Sequence, residues 1–331
     1  MPSLLDAPAS LPERIDALVG DDLRASMRIY DRELASANPV LADLLEHTAR
    51  FRGKQLRPKL LLLSAAACGG VREEHRVLAA VVEMVHVATL LHDDVLDEAD
   101  VRRHVATVNG RWNNESAVLF GDYLFTHAFH LAASLDTTHA ARAIGAATNR
   151  VCEGELTQIA HRGDLSLDEA TYFRIVDGKT AELTAVACSL GAAYADASQP
   201  EVAALETYGR RLGVAFQIAD DLLDLSGHSA ETGKTLGTDL QKQKLTLPLI
   251  RLLSTASPDD RGRIEQMLKH PNEATRTAID PLLRQSDALS YAAGRASAEA
   301  AAAKAALEAL LPTEAVALLE QSADAAVHRR R

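Results

Sequence analysis

The chain has 331 residues, 47% of them hydrophobic and only 4% aromatic, with 35 Lys and Arg against 46 Asp and Glu for a net charge of −11. That balance provides no broad cationic surface and excludes nucleic acid as a partner class. Alanine and leucine dominate, which favours helices over strands.

Residues 1–10 read as a loose tail with neither a basic n-region nor an apolar h-region, so no signal peptide is expected. Leu11 to Ala35 has the spacing of one or two amphipathic helices. Pro39 starts another helix. A basic stretch, Gly53-Lys54-Gln55-Leu56-Arg57-Pro58, leads into an apolar helix that Gly69-Gly70 stops. The central helix is predicted from about Glu73 to Glu98. A polar connection, Ala99 to Asn114, carries Arg102, Arg103 and Arg111. Helices resume at roughly 115–134, 138–161, 168–195 and 200–226. Residues 226–244, rich in Gly, Thr and Lys, read as a loop. The helices 247–255, 259–269 and 274–286 follow. An Ala-rich run from Tyr291 to Leu311 and a last helix from Thr313 complete the chain. No strand alternation and no membrane-length apolar run is found. The reading is one all-α domain over residues 1–331. Cys68, Cys152 and Cys188 lie in apolar helical stretches without CxxC spacing, which reads as buried, inert thiols in a reducing compartment.

The chain is organised around Glu83–Asp97, EMVHVATLLHDDVLD. This stretch is apolar nearly throughout and then plants Asp93, Asp94 and Asp97 at its end. Unpaired carboxylates on a buried helix are costly. Asp93 and Asp97 lie one above the other, with Asp94 about 100° round. The pattern recurs as Asp220, Asp221 and Asp224 in FQIADDLLDL. A single such triplet is more often a solvated helix end. Two copies on apolar helices suggest two acid clusters facing one cavity. Hard oxygen ligands suit Mg²⁺, which completes its shell with waters and substrate phosphates. The residues therefore read as a helical protein that grips a diphosphate through magnesium.

Several cations fit that reading, and each also has a plainer one. Lys54 and Arg57 precede a helix N-terminus, a natural phosphate site, or form an ordinary basic loop. Arg102 and Arg103 offer guanidinium forks, or neutralise the nearby acids. Lys179 sits mid-helix in DGKTAELTA, either snorkelling or paired with an anion. Lys234 and Lys244 lie in TGKTLGTDLQKQKLTLP, which lacks the glycine and the strand of a P-loop. His86, two turns before Asp93, is either a core histidine or a ligand contact.

Five stretches in order, LLHDDVLDEADVRR, GDYLFTHAF, DGKTAEL, FQIADDLLD and GKTLGTDLQKQKLTLPL, resemble the trans-isoprenyl diphosphate synthases, or polyprenyl synthetases, from about Phe51 to Arg251. The resemblance implies an all-α bundle around a deep central cavity, normally a cytoplasmic homodimer. It implies that Asp93, Asp94, Asp97, Asp220, Asp221 and Asp224 hold three Mg²⁺ on an allylic diphosphate. Arg102, Lys179, Thr180, Gln217 and Lys234 match positions that contact that diphosphate. Lys54, Arg57, His86 and Arg103 match the isopentenyl diphosphate site, and Lys244 matches the second lysine of the later loop. The chain departs from the family pattern at Arg52, His104 and Gln243, each where glycine is usual, and at Ala106 in place of proline.

The implied reaction is successive condensation of isopentenyl diphosphate with an allylic diphosphate. A class I terpene cyclase shares the first acid triplet but normally replaces the second. A non-catalytic subunit usually loses one triplet, and this chain keeps both. Product length is expected to depend on Ala88 and Thr89, then Val85 and Met84, then Val81, on the helix below Asp93. Short-chain members, the alternative, typically carry a bulky aromatic at one of the first two positions. Here the helix runs back some 15 residues from Ala88, roughly 22 Å, which predicts a long all-trans product of about C30–C40. An earlier floor at Met84, Phe120, Phe125 or Phe129 stays open.

Overall fold

The computed structural model describes residues 9–50, 53–102, 104–226 and 238–328. Arg52, Arg103 and Lys234, and nearly all of the expected N-terminal tail, lie outside them.

The architecture is all-α. The first helices are α1 (Leu11–Leu34), α2 (Pro39–Ala49), α3 (Leu56–Ala67) and α4 (Glu73–Leu96). Local chemistry sets their ends. Ser10 and Glu13 form a capping box at α1. The Asn38 side chain accepts from Val40 N at 3.0 Å, with Pro39 in the first turn. Gly69 and Gly70, at φ 141° and 117°, turn the chain out of α3, a conformation only glycine adopts without strain.

The polar connection after α4 departs from the expectation of no strands. Val101–Arg102 (β1) and Val105–Ala106 (β2) pair antiparallel, Val101 with Ala106 and Arg102 with Val105. Two residues per strand are too few for alternation to register in a sequence. His104 in the turn has φ 64°, so the backbone keeps the left-handed geometry that glycine would otherwise supply.

There follow α5 (Val108–Arg111), α6 (Asn114–Ala133), α7 (His139–Ala160) and α8 (Glu169–Val176). A π-helical turn, Asp177–Ala181, joins α8 to α9 (Glu182–Ala193). The expected continuous helix over 168–195 is thus interrupted at DGKTA. Close approach explains the site of the interruption. A Cβ on Gly154 would lie 2.5 Å from Lys179 N, and one on Gly178 would lie 2.9 Å from the Arg150 carbonyl.

The chain continues as α10 (Gln199–Ser226), α11 (Thr238–Gln241), α12 (Leu247–Thr255), α13 (Pro258–Lys269), α14 (Glu273–Gln285), α15 (Ala288–Ala306) and α16 (Glu314–Val327). Two apolar clusters fill the interior. One includes Leu60–Leu63 of α3, Ala79–Val82 of α4, and Phe120 and Leu124 of α6. The other gathers α8 and α12–α15 around Ile250, Ile279 and Ala292. Helix α10 belongs to both, through Leu205, Tyr208 and Leu212 at one end and Ile218 and Leu225 at the other. Its aspartates therefore emerge at the end that the second cluster holds. No helix of the described residues is long and apolar enough to cross a membrane. Cys188 is buried, Cys68 half-buried and Cys152 exposed, so the expectation of three buried thiols holds for one.

Candidate active site

Helix α4 ends by delivering its three aspartates into different surroundings. Asp93 is half-buried and lies 3.6 Å from Lys179 Nζ. Burial pushes its carboxyl up to about 6, against the pull of Lys179. Asp94 is 2% exposed and turns inward to Arg102. There Nη2 donates to Oδ1 at 2.7 Å and Nε to Oδ2 at 3.1 Å. Asp97 caps the helix. Lys244 and Lys242 approach it at 2.9 and 3.2 Å, and Arg162 at 3.0 Å. Burial raises its pKa, but Lys244, Lys242 and Lys179 outweigh that and leave it below the usual carboxylate value.

The second triplet divides the same way. Asp221 is 3% exposed. Its Oδ2 accepts from the Tyr172 hydroxyl at 2.6 Å and its Oδ1 from the Gln217 amide at 2.8 Å. Gln217 in turn accepts from the Thr180 hydroxyl at 2.9 Å. Asp220 and Asp224 are half-buried, and Asp224 Oδ2 accepts from Asp239 N at 3.2 Å. Burial pushes Asp221 well up and Asp239 to about 6.

Beside the second motif lies a cavity of about 170 Å³. Asp220, Asp221, Asp239, Lys179, Lys244 and Thr180 are on its wall. Lys179 and Lys244 line this cavity and reach the first triplet at Asp93 and Asp97. They are the link between the two acid motifs. Lys179 also pairs with Glu155 and donates to Gln158 Oε1 at 3.0 Å. Burial would lower its pKa, yet Asp93 and Glu155 keep it raised and the amine charged.

Among the described residues, Lys54, Arg57 and His86 are not on the cavity wall. Arg57 Nη1 lies 3.3 Å from His86 Nδ1 on α4, while Lys54 is exposed. The Arg57 Nε is buried with no hydrogen-bond partner among the described residues. Burial lowers the guanidinium pKa, with Glu83 opposing. Lower on α4, Ala88, Val85, Met84 and Val81 are all fully buried in the core, and Thr89 is half-buried.

The aspartates of each triplet do not share one setting. Among the described residues no three acid, imidazole or thiol side chains form a ready metal cage. Asp94 and Asp97 face in-chain cations and Asp221 faces neutral donors. The donor set nevertheless suits a hard cation. It consists of carboxylate oxygens, and the raised pKa values of Asp93, Asp221 and Asp239 mark a surplus of buried negative charge that a divalent ion would neutralise.

Sequence reasoning missed Glu83, Glu155, Gln158, Arg162, Tyr172, Asp239 and Lys242. Glu155 and Gln158 are three apart on α7 and so share a face. Nothing in the sequence aims that face at Lys179. Tyr172 reads as an ordinary core aromatic until its hydroxyl is seen on Asp221.

Paired acid motifs at the ends of two long helices, joined by lysines across a cavity, define an all-α transferase that handles anionic substrates. The polyprenyl synthetase family profile matches residues 38–285, and the chain belongs to that family. It is a prenyltransferase of the chain-elongating trans type. It is similar to the octaprenyl diphosphate synthase of Escherichia coli (strain K12), 34% identical over 322 residues, 96% of this chain and 99% of that protein. A short chain isoprenyl diphosphate synthase of Methanothermobacter thermautotrophicus is also 34% identical, over 288 residues, 86% of this chain and 89% of that one. The crystal structure of a polyprenyl synthase from Caulobacter crescentus CB15, complexed with calcium and isoprenyl diphosphate, superposes with TM-score 0.92 at 34% identity. It covers 99% of this chain and 100% of that one.

Proposed function

We propose that this enzyme extends an allylic diphosphate with isopentenyl diphosphate to a long all-trans product, working as one domain in a cytoplasmic homodimer. The observation that carries the site assignment is the pair of lysines, Lys179 and Lys244, that line the cavity and reach both acid motifs.

The two aspartate triplets are the metal-binding carboxylates in this reading, and Asp94, Asp97 and Asp221 each have both oxygens on in-chain donors that an ion would displace. Three magnesium ions, the number the family resemblance implies, would neutralise charge on the departing pyrophosphate as Lewis acids. Lys179, charged and half-buried, steadies the same leaving group. Lys234 and Arg103 are assigned to the diphosphates on sequence grounds. Arg57, Lys54 and His86 hold the isopentenyl diphosphate.

In the reaction the allylic C–O bond breaks and its electron pair leaves with pyrophosphate. The double bond of isopentenyl diphosphate attacks the resulting carbocation, forming the new C–C bond. A proton then passes to the released pyrophosphate and a new allylic double bond closes. The apolar residues of α4 below Asp93 exclude water from the cation.

Length is argued from side chains, because relatives of both short and long product type match at the same identity. Ala88 and Thr89 are small where an aromatic would close the tail path, and Val85 and Val81 continue that face. Incubation with isopentenyl diphosphate, farnesyl diphosphate and Mg²⁺ should release pyrophosphate and yield products longer than C20. No pyrophosphate release would end the assignment.

A further inference from the structure

The hairpin that presents Arg102 is held from outside by a histidine on another helix. His47 of α2 is 3% exposed. Its Nε2 lies 2.7 Å from the Ala106 carbonyl, which only accepts, so Nε2 carries the proton. Arg111 Nη1 donates to Nδ1 at 2.9 Å. The Trp112 ring packs edge-on to the imidazole at 5.1 Å, and the Arg111 guanidinium lies 4.5 Å over that ring.

Two features make such a latch consequential. The hairpin has two residues per strand, too short to persist alone in water, and His104 adds left-handed strain to its turn. From within, Thr107 Oγ1 and Asn109 Nδ2 tie the chain to the Ala99 carbonyl at 2.6 and 3.0 Å. His47 adds a tie to a different part of the fold. It lies on the helix that leads, a few residues later, into Lys54 and Arg57.

We propose that His47 is a positioning residue that sets the spacing between two diphosphate-binding segments, the Arg102 hairpin and the Lys54–Arg57 segment at the start of α3. This rests on the assignment of those cations to the diphosphates. The protonated Nε2 holds the end of β2, and β1, paired with it, carries Arg102 to Asp94. Loss of the N–H lets the hairpin drift from α2 without touching a substrate-contacting side chain.

The test compares His47→Ala, His47→Phe and His47→Gln in the full-length enzyme, with Arg102→Gln alongside. Phe keeps the ring against Trp112 but has no N–H, and so serves if the Ala variant does not fold. Gln retains an N–H donor. The KM for the allylic diphosphate should rise about tenfold in the Ala and Phe variants, with kcat within about threefold, and return most of the way in Gln. Hydrogen exchange at Val105 and Ala106 should speed up in the Phe variant while exchange in α4 does not. Equal KM values in Phe and Gln variants, or unchanged KM in both, would overturn the proposal. If Arg102→Gln leaves both diphosphate KM values unchanged, the underlying cation assignment is what fails.

Discussion

The Arg102 guanidinium closes on both oxygens of Asp94, from Nη2 at 2.7 Å and Nε at 3.1 Å. Neighbouring aspartates on one helix thus have different tasks. Asp93→Ala should lower turnover by about a hundred- to a thousandfold and leave the helical signal intact, because it removes a carboxylate aimed at the leaving group. Asp94→Ala should instead destabilise the fold by about 3 kcal/mol, because Arg102 loses its buried partner. Paired kinetic and urea-melt measurements separate the two. Equal effects in both assays would refute the division.

The π-turn that carries Lys179 offers a second test, made from Gly154 on the neighbouring helix α7. A methyl at position 154 meets backbone, Lys179 N at 2.5 Å and Gly178 C at 3.0 Å, so no side chain can yield to it. Gly154→Ala should push α7 away from the turn and move Lys179 off Asp93. Turnover should fall about tenfold or more in a protein that still folds. Wild-type kcat in this variant would mean that the close approach does not position the lysine.

The two substrates should respond to different residues. His86 touches Arg57 two helical turns before Asp93 on α4, whereas Lys179 stands between Asp93 and the cavity. His86→Ala should chiefly raise the KM for isopentenyl diphosphate. Lys179→Ala should act on the allylic substrate and on kcat. Identical effects on both KM values would undo the partition.

These contrasts show what could be read from residues alone. The apolar runs with Asp at their ends were legible, because burying a carboxylate demands a partner whatever the fold. So were most helix limits, since Asn38, Asn113, Asp168 and Thr313 cap their helices within about two residues of the expected starts. The orientation of each aspartate was not. Asp94 is one residue from Asp93, and only the hairpin that brings Arg102 back decides that it faces inward. The π-turn was hidden as well, because Asp-Gly-Lys-Thr-Ala is compatible with an α-helix and the interruption arises from packing against Gly154.

His75 supplies a pH test away from the metal-facing acids. It is fully buried at the start of α4. Its Nδ1 accepts from Arg72 N at 2.8 Å, and its Nε2 donates to the Gly191 carbonyl at 3.0 Å. Burial lowers its pKa, with the Gly191 carbonyl opposing. A depressed histidine binds its second proton less well folded than unfolded. Its contribution is therefore present above about pH 6.5 and is lost as the pH falls through the folded value. Urea melts should show wild-type stability falling from about pH 7 to about pH 5 more steeply than in His75→Gln. Parallel curves would show that another group controls the acid limb.

Product length is the most exposed of these expectations. The growing chain must pass down the face of α4 below Asp93, where Ala88, Val85, Met84 and Val81 are fully buried and Thr89 is half-buried. Phe120 and Leu124 of α6 are buried in the same core and are candidates for the floor. An aromatic at position 88 would stand about one and a half turns below the first aspartate, roughly 7–8 Å at 1.5 Å per residue. Ala88→Phe should shorten the product to about C15–C20. The position is closely packed, so the added ring should also cost about 1–3 kcal/mol of stability. Thr89→Phe, at the half-buried neighbour, repeats the test with less strain. Phe120→Ala should act in the opposite sense and lengthen the product if that ring is the floor. Chromatography of dephosphorylated products from all three variants and the wild type decides the matter. A wild-type product of C20 or shorter would sink the length argument and leave the condensation chemistry untouched.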